Sequence, residues 1–143
     1  MRHFFERSLR QGNTDLALLV VRVSIALLML THGLPKMAKL FSGEPVAFAS
    51  IFGMSATLSL GLAVFAEVVC SFFLLAGLAT RFATVPLMAT MAIAAFYYHA
   101  GDPFCDKEMA ILYQAGYIAL FIAGGGKYSI DYKIAGSGSI ERK

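Results

Sequence analysis

The sequence predicts an all-α integral membrane protein, a four-transmembrane-helix bundle with a short re-entrant or interfacial segment between helices 1 and 2. Three observations point there. The 143 residues are 58% hydrophobic and 15% charged, with a mean hydropathy of +0.69. A soluble domain carries ~25% charged residues, and so much apolar side chain in water would leave large exposed patches. Four apolar runs follow one another, each close to the ~20 residues that cross a bilayer core. The longest, 57–79, holds a single charged residue, Glu67, near its centre. An ionised carboxylate there costs roughly 2.5 kcal/mol or more if it faces lipid, so the side chain must face protein, trapped water or a cation.

Residues 1–15 form a polar, basic interfacial arm that stops at Gly12-Asn13, with Asn13, Thr14 or Asp15 able to cap the next helix. The first span, 16–33, carries Arg22 inside it and has no small-residue cleavage site close behind, so it is expected to be a retained helix and not a signal peptide. Turn signals at Gly33-Leu34-Pro35 and Ser42-Gly43-Glu44-Pro45 open a connection whose second half, PVAFASIFGM, is apolar but too short to span. In the second span, Ser59, Ala63, Glu67 and Ser71 recur every four residues with Cys70 beside them, while Leu62, Phe65, Val69, Phe72 and Phe73 lie elsewhere. That spacing puts the small and polar residues on one face, turned into the bundle. A tight turn near Gly77 and Arg81 leads to the third span, 82–99, which ends on the aromatic group Tyr97, Tyr98 and His99. After a short loop, the fourth span covers 109–124, with Ala115, Ala119 and Ala123 as a small-residue packing stripe. Gly124-Gly125-Gly126 ends it, and 127–143 is a polar tail.

Orientation follows from the basic residues. Arg2, Arg7, Arg10, Arg81, Lys127, Lys133, Arg142 and Lys143 fall on one side and Lys36, Lys39 and Lys107 on the other. The richer side is expected to be cytoplasmic, with both termini inside and the protein multi-pass in the bacterial inner membrane.

The polar residues within the spans carry the chemistry. Helical rise places Arg22 about 9 Å, Glu67 about 18 Å and His32 about 24 Å from the cytoplasmic side. The expected intramembrane polar pair is Arg22 with Glu67, with a Glu67–His32 proton pair and snorkelling of Arg22 as the alternatives. A second cluster gathers at the outer surface, where His32, Lys36, Tyr98, His99 and Glu108 form a candidate quinone or partner site, with Lys36 and Glu108 expected to point inward. A histidine, a tyrosine and a carboxylate can hydrogen-bond quinone oxygens and pass protons; plain interfacial anchoring is the competing role for each residue alone.

Other chemistries find less support. Two histidines at similar depth raise haem ligation, but no further haem signal accompanies them. The Glu-x-x-His pattern of dinuclear metal bundles is missing, and no metal site is expected. The cysteines, Cys70 and Cys105, make no framework and no CxxC pair. No phosphate loop, dinucleotide fingerprint, nucleophile elbow or basic nucleic-acid surface is present, so the chain holds no complete catalytic constellation.

Four stretches resemble the DoxX family of small multi-pass bacterial membrane proteins. They are the run from Arg22 through His32-Gly33 to Lys36, Glu67 followed by Leu74-Leu-Ala-Gly-Leu-Ala-Thr-Arg81, Glu108-Met-Ala-Ile-Leu-Tyr113, and Gly124-Gly-Gly-Lys-Tyr-Ser-Ile-Asp131. Together they cover roughly Leu16 to Asp131. The resemblance implies a membrane subunit associated with a quinone-linked oxidoreductase or a redox and thiol-detoxification complex, with quinone as the cofactor to look for. A partner subunit or a second copy of the chain, besides the bilayer itself, is the expected company. A non-enzymatic membrane anchor or assembly subunit, or a small proton or solute transporter, are the alternatives.

Overall fold

A computed structural model describes residues 2–137, with side chains over 12–136. Among these residues every regular element is helical. The chain runs α1 (Arg2–Leu40), α2 (Ala56–Val64), a π-helical segment (Phe65–Cys70), α3 (Ser71–Ala76), α4 (Thr80–Ile93), a second π-helical segment (Ala94–Tyr98), α5 (Phe104–Ala123) and α6 (Ile130–Ser137).

Contrary to the expectation, α1 stops neither at Gly12-Asn13 nor at Gly33. It absorbs most of the arm, whose first eleven side chains lie outside the described residues, as do tail residues 138–143. At its other end it runs through Pro35 to Leu40. Proline removes one backbone bond and disfavours helix at the residue before it, yet close packing outweighs that local preference. Gly33 lies directly against the next helix, where an added Cβ would come within 2.8 Å of Val68 Cγ2 and 2.9 Å of Glu67 Cβ.

Residues 56–76 form one continuous apolar helix with the π-helical segment in its middle. Ser55 caps its start, its hydroxyl accepting from Leu58 N–H at 3.2 Å. Gly77, at φ 67°, ends it. The Leu78 N–H donates to Phe73 O at 2.9 Å and the Gly77 N–H to Leu74 O at 3.0 Å, the paired bonds of a Schellman motif that only a left-handed residue permits cheaply. The periodicity of this helix is borne out: Ser59, Ala63, Glu67, Cys70 and Ser71 are buried, while Leu62, Phe65, Val69, Phe72 and Phe73 are exposed.

The start of α4 is capped from a distance. Asp131, fifty-odd residues on, accepts from Ala79 N–H at 2.6 Å and Thr80 N–H at 2.8 Å, and its own N–H donates to Gly77 O at 2.9 Å. A carboxylate satisfies the orphan donors of a helix start and complements its dipole. The α5 helix begins at Phe104, five residues before the expected start, because Pro103 is well placed just ahead of a first turn. Its buried face is Tyr113, Tyr117 and Leu120, and the alanines at 115, 119 and 123 face out. The aromatic rings fill the interior, and close approach is supplied instead by Gly116, where a Cβ would meet Ile25 Cδ1 at 2.3 Å.

α1, α3, α4 and α5 share one core of Ala26, Met29, Leu74, Ala83, Leu87, Met91, Tyr117 and Leu120, with Cys70 and Tyr113. A second cluster, Leu30, Leu60, Val64 and Val68, is covered by Val46 and Phe48 of the non-helical strap between α1 and α2. Two helices, Gly12–Leu40 and Ala56–Ala76, are long and apolar enough to cross a membrane. Large apolar side chains such as Leu28, Phe72, Phe82, Phe96 and Ile122 cover the outside, a surface suited to lipid.

Candidate functional site

The continuation of α1 past Pro35 puts Lys36 over the middle of the 56–76 helix. Its Nζ donates to Glu67 Oε1 at 2.5 Å. Glu67 is 1% exposed and the Lys36 side chain 33%, so the ion pair stands at a boundary, with the carboxylate inside and the lysine side chain partly open. Glu67 Oε2 is buried and has no hydrogen-bond partner among the described residues.

The pair lies on the wall of a cavity of about 430 Å³. The strap supplies Ala47, Phe48, Ile51 and Met54, the 56–76 helix supplies Ser59, Leu62 and Ala63, and α4 with its π-helical end supplies Thr90, Ile93, Tyr98 and His99. The strap is tied at several points. Lys39 Nζ donates to Ala47 O at 2.5 Å, Ser50 Oγ to Met54 O, and Ile51 N–H to Ser59 Oγ at 3.2 Å. Both π-helical segments contribute to the wall, Glu67 from one and Ala94 and Tyr98 from the other; such segments widen a helix locally and recur at functional sites. At the mouth, His99 Nδ1 pairs with Asp102 Oδ2 at 2.7 Å and its ring meets Tyr98 edge-on at 4.8 Å. With Nδ1 engaged, Nε2 is the nitrogen left for a ligand.

Of the expected site residues, the structure brings Lys36, Glu67, Tyr98 and His99 together and leaves out the rest. The Arg22–Glu67 pair does not form. Arg22 is fully buried at the termini end of the bundle, where its Nη2 donates to Tyr128 O at 3.0 Å. Gly77 makes room for it, since a Cβ there would lie 1.6 Å from Nη1. Helical side chains lean toward the helix N-terminus, which carries Arg22 away from Glu67, while Lys36 leans back toward it. His32 is exposed and packs edge-on to Tyr113, with centroids 6.0 Å apart, and does not line the cavity. Glu108 is exposed, not inward, because the face it shares with Ala115 and Ala119 is turned outward and the interior is filled by Tyr113, Tyr117 and Leu120.

Sequence reasoning put Ser59 on the inward face without assigning it to a site, and missed Thr90 in the wall, Asp102 behind His99, and the buried Tyr113–Tyr117 pair, stacked with centroids 6.0 Å apart. The i,i+4 spacing of the tyrosines was the available signal. Asp131 appeared only in the resemblance; its capping role spans too much chain to be seen locally. Burial alone would raise its carboxyl, but hydrogen bonds from Thr80 and Ala79 and the nearby Arg22 charge outweigh that and hold it below the usual carboxylate value.

No group of three or more His, Cys, Asp or Glu among the described residues is arranged to hold a metal ion. A family model described as DoxX matches residues 17–100, a stretch that contains Lys36, the strap, Glu67, Tyr98 and His99. No curated protein and no solved structure matches the chain.

Proposed function

The chain belongs to the DoxX family, and from that premise we propose that it is a four-span subunit of the bacterial inner membrane whose cavity holds the head group of a quinone for a redox partner. The observation that supports this most is the Lys36–Glu67 pair set into the wall of an otherwise mostly apolar cavity. Its volume falls in the range of small-molecule sites, and a few convergent polar groups among apolar ones is how such sites fix a ring.

The four spans are α1, the 56–76 helix, α4 with its π-helical end, and α5. Thr80–Tyr98 rises about 28 Å and Phe104–Ala123 about 30 Å at ~1.5 Å per residue, close to the ~30 Å hydrocarbon core. With the basic residues of the termini side in the cytoplasm, the cavity opens toward the outer leaflet.

The residues fit the group. Lys36 keeps donors free for a carbonyl oxygen, and Glu67 holds a proton acceptor within reach of the same ammonium. Phe48, Ile51, Leu62 and Ile93 supply apolar walls, and Tyr98 with His99 supplies hydrogen-bonding groups at the mouth. A quinone would bring two-electron, two-proton chemistry, which no side chain here provides. The chain binds and orients the ring, shields it from water and moves protons, while electrons come from the partner.

The test is titration of a short-chain quinone into purified protein. Lys36→Gln and Glu67→Gln are expected to weaken binding about tenfold each, the loss of roughly one charge-assisted hydrogen bond. Unchanged affinity in both variants, with constant co-purification of a partner, would favour the anchor reading instead.

A further inference from the structure

The strap over the cavity is held unevenly. On one side it is fastened to α1 and the 56–76 helix. Lys39 Nζ donates to Ala47 O and the Ile51 N–H to Ser59 Oγ, while Val46 and Phe48 pack on Leu30, Leu60, Val64 and Val68. Toward the end of α4, no hydrogen bond among the described residues holds it. What bridges that side is a ring contact, Phe52 against Tyr97, with centroids 5.0 Å apart and planes tilted by 54°. Phe52 is 68% exposed and Tyr97 49%, so neither ring is there to fill a core. The strap is also strained where it makes this contact. Phe52 (φ 50°) and Gly53 (φ 76°) are the central residues of a turn closed by the Met54 N–H donating to Ile51 O at 3.0 Å. A left-handed backbone suits glycine and strains a bulky residue, and such strain gathers where segments clamp or switch.

The two rings stand just outside the cavity. Ile51 and Met54, on either side of the turn, line it, and so do Ala94 and Tyr98 around Tyr97. Beside the ring pair the walls part. α2 packs on α1 and on the π-helical segment that follows it, while Ala94–Tyr98 packs on α4 and α5, yet both line the cavity. On these two walls Leu62 is exposed and Thr90 partly so. They lie about 9 and 12 Å below the outer ends of their helices at ~1.5 Å per residue. In a membrane-spanning bundle that depth meets acyl chains and not water, so the cavity communicates sideways with the bilayer.

We propose that the Phe52–Tyr97 pair is a lateral gate, through which a lipid-dissolved ligand with a polar ring and a long apolar tail enters the cavity from the bilayer. The gate rests on the quinone reading of the cavity. When the rings part, the strap swings on its ties to α1 and the 56–76 helix, and the head group passes inward to Lys36 and Glu67. The tail stays in the opening between Leu62 and Thr90. Phe52 and Tyr97 are positioning residues: they set how fast the site fills and empties, not how tightly it holds.

The test uses the protein in nanodiscs loaded with a fully substituted, long-tailed photoreactive quinone and chased with excess unlabelled short-chain quinone. Flashes at set delays give the exit rate from the decay of cavity-wall adducts, and the yield before the chase gives the occupancy. Phe52→Gly removes the ring and suits the left-handed turn, so the thermal midpoint is expected to stay close to wild type. Its exit is expected to be about three- to tenfold faster, the worth of one aromatic pair, with occupancy within about twofold of wild type. Phe52→Cys with Tyr97→Cys, joined by a short bis-thiosulfonate in a Cys105→Ser background, is expected to slow exit at least about tenfold. Cutting that bridge before the quinone is added is expected to restore exchange. Wild-type exit rates in both Phe52→Gly and the bridged pair would overturn the gate and leave the quinone reading standing. A fall in occupancy large enough to account for the faster exit would make Phe52 part of the binding wall and overturn the gate as well. Wild-type protein with no competed adduct on the cavity wall would overturn the quinone reading and the gate with it.

Discussion

Lys36 reaches Glu67 because the helix that carries it does not stop where its glycine and proline suggest. The buried carboxylate was legible in the sequence, from one acid in a long apolar run with small residues at its i±4 neighbours, and so was its inward direction. Its partner was not. The sequence pairs Arg22 or His32 with it and puts Lys36 in the outer cluster, because Gly33-Leu34-Pro35 reads as a turn that ends the first span at 33. Removing one member of a buried pair strands the other charge, at about 3 kcal/mol or more, whereas removing both costs far less. Lys36→Met is therefore expected to lower stability in detergent by roughly 2–3 kcal/mol, somewhat under the fully buried case because the lysine side chain is partly exposed. Adding Glu67→Leu should restore much of it, and a double-mutant cycle in a thermal melt measures the coupling. Additive losses would show that the two side chains do not interact.

At the scale of elements, the helices were read from their apolar runs, and their ends were misread wherever tertiary contact outweighed local signal. Gly33 ends nothing; it is the point where α1 touches the 56–76 helix. Gly33→Ala should cost about 1–3 kcal/mol through overpacking and loosen the Lys36–Glu67 bond, read as weaker quinone affinity beside a lower melting temperature. The cap on α4 lay beyond local reading because its donors and acceptor are far apart in sequence. Asp131→Asn should cost about 1 kcal/mol. The wild-type carboxyl is held below its ordinary value in the folded protein. Its contribution is thus present in full above the unfolded value near ~3.9 and is lost as pH falls through the lower folded one. Acid unfolding curves of wild type and Asp131→Asn should converge below about pH 4; a constant gap down to the lowest pH would count against the cap.

For the whole molecule, the composition announced a membrane protein, and the packing explains how a chain this short builds a site in one. Four helices enclose a main core and a smaller cluster beside it, the strap closes one end over a cavity, and α6 with the glycine loop before it closes the other. Cys105 is exposed beyond the third helix and Cys70 is buried, so topology can be read chemically. In intact cells a membrane-impermeant maleimide is expected to label Cys105 and not Cys70; labelling of Cys105 only after permeabilisation would invert the orientation. In the proposed reading, a quinone ring sits in the cavity beside Lys36 and Glu67. A photoreactive quinone analogue, cross-linked in native membranes and mapped by mass spectrometry, tests it most directly. Adducts on the strap around Phe48 to Met54 and on the Ile93–His99 wall, competed away by unlabelled quinone, are the predicted result. Adducts confined to lipid-facing residues such as Phe72 and Phe82, or none that compete, would contradict it.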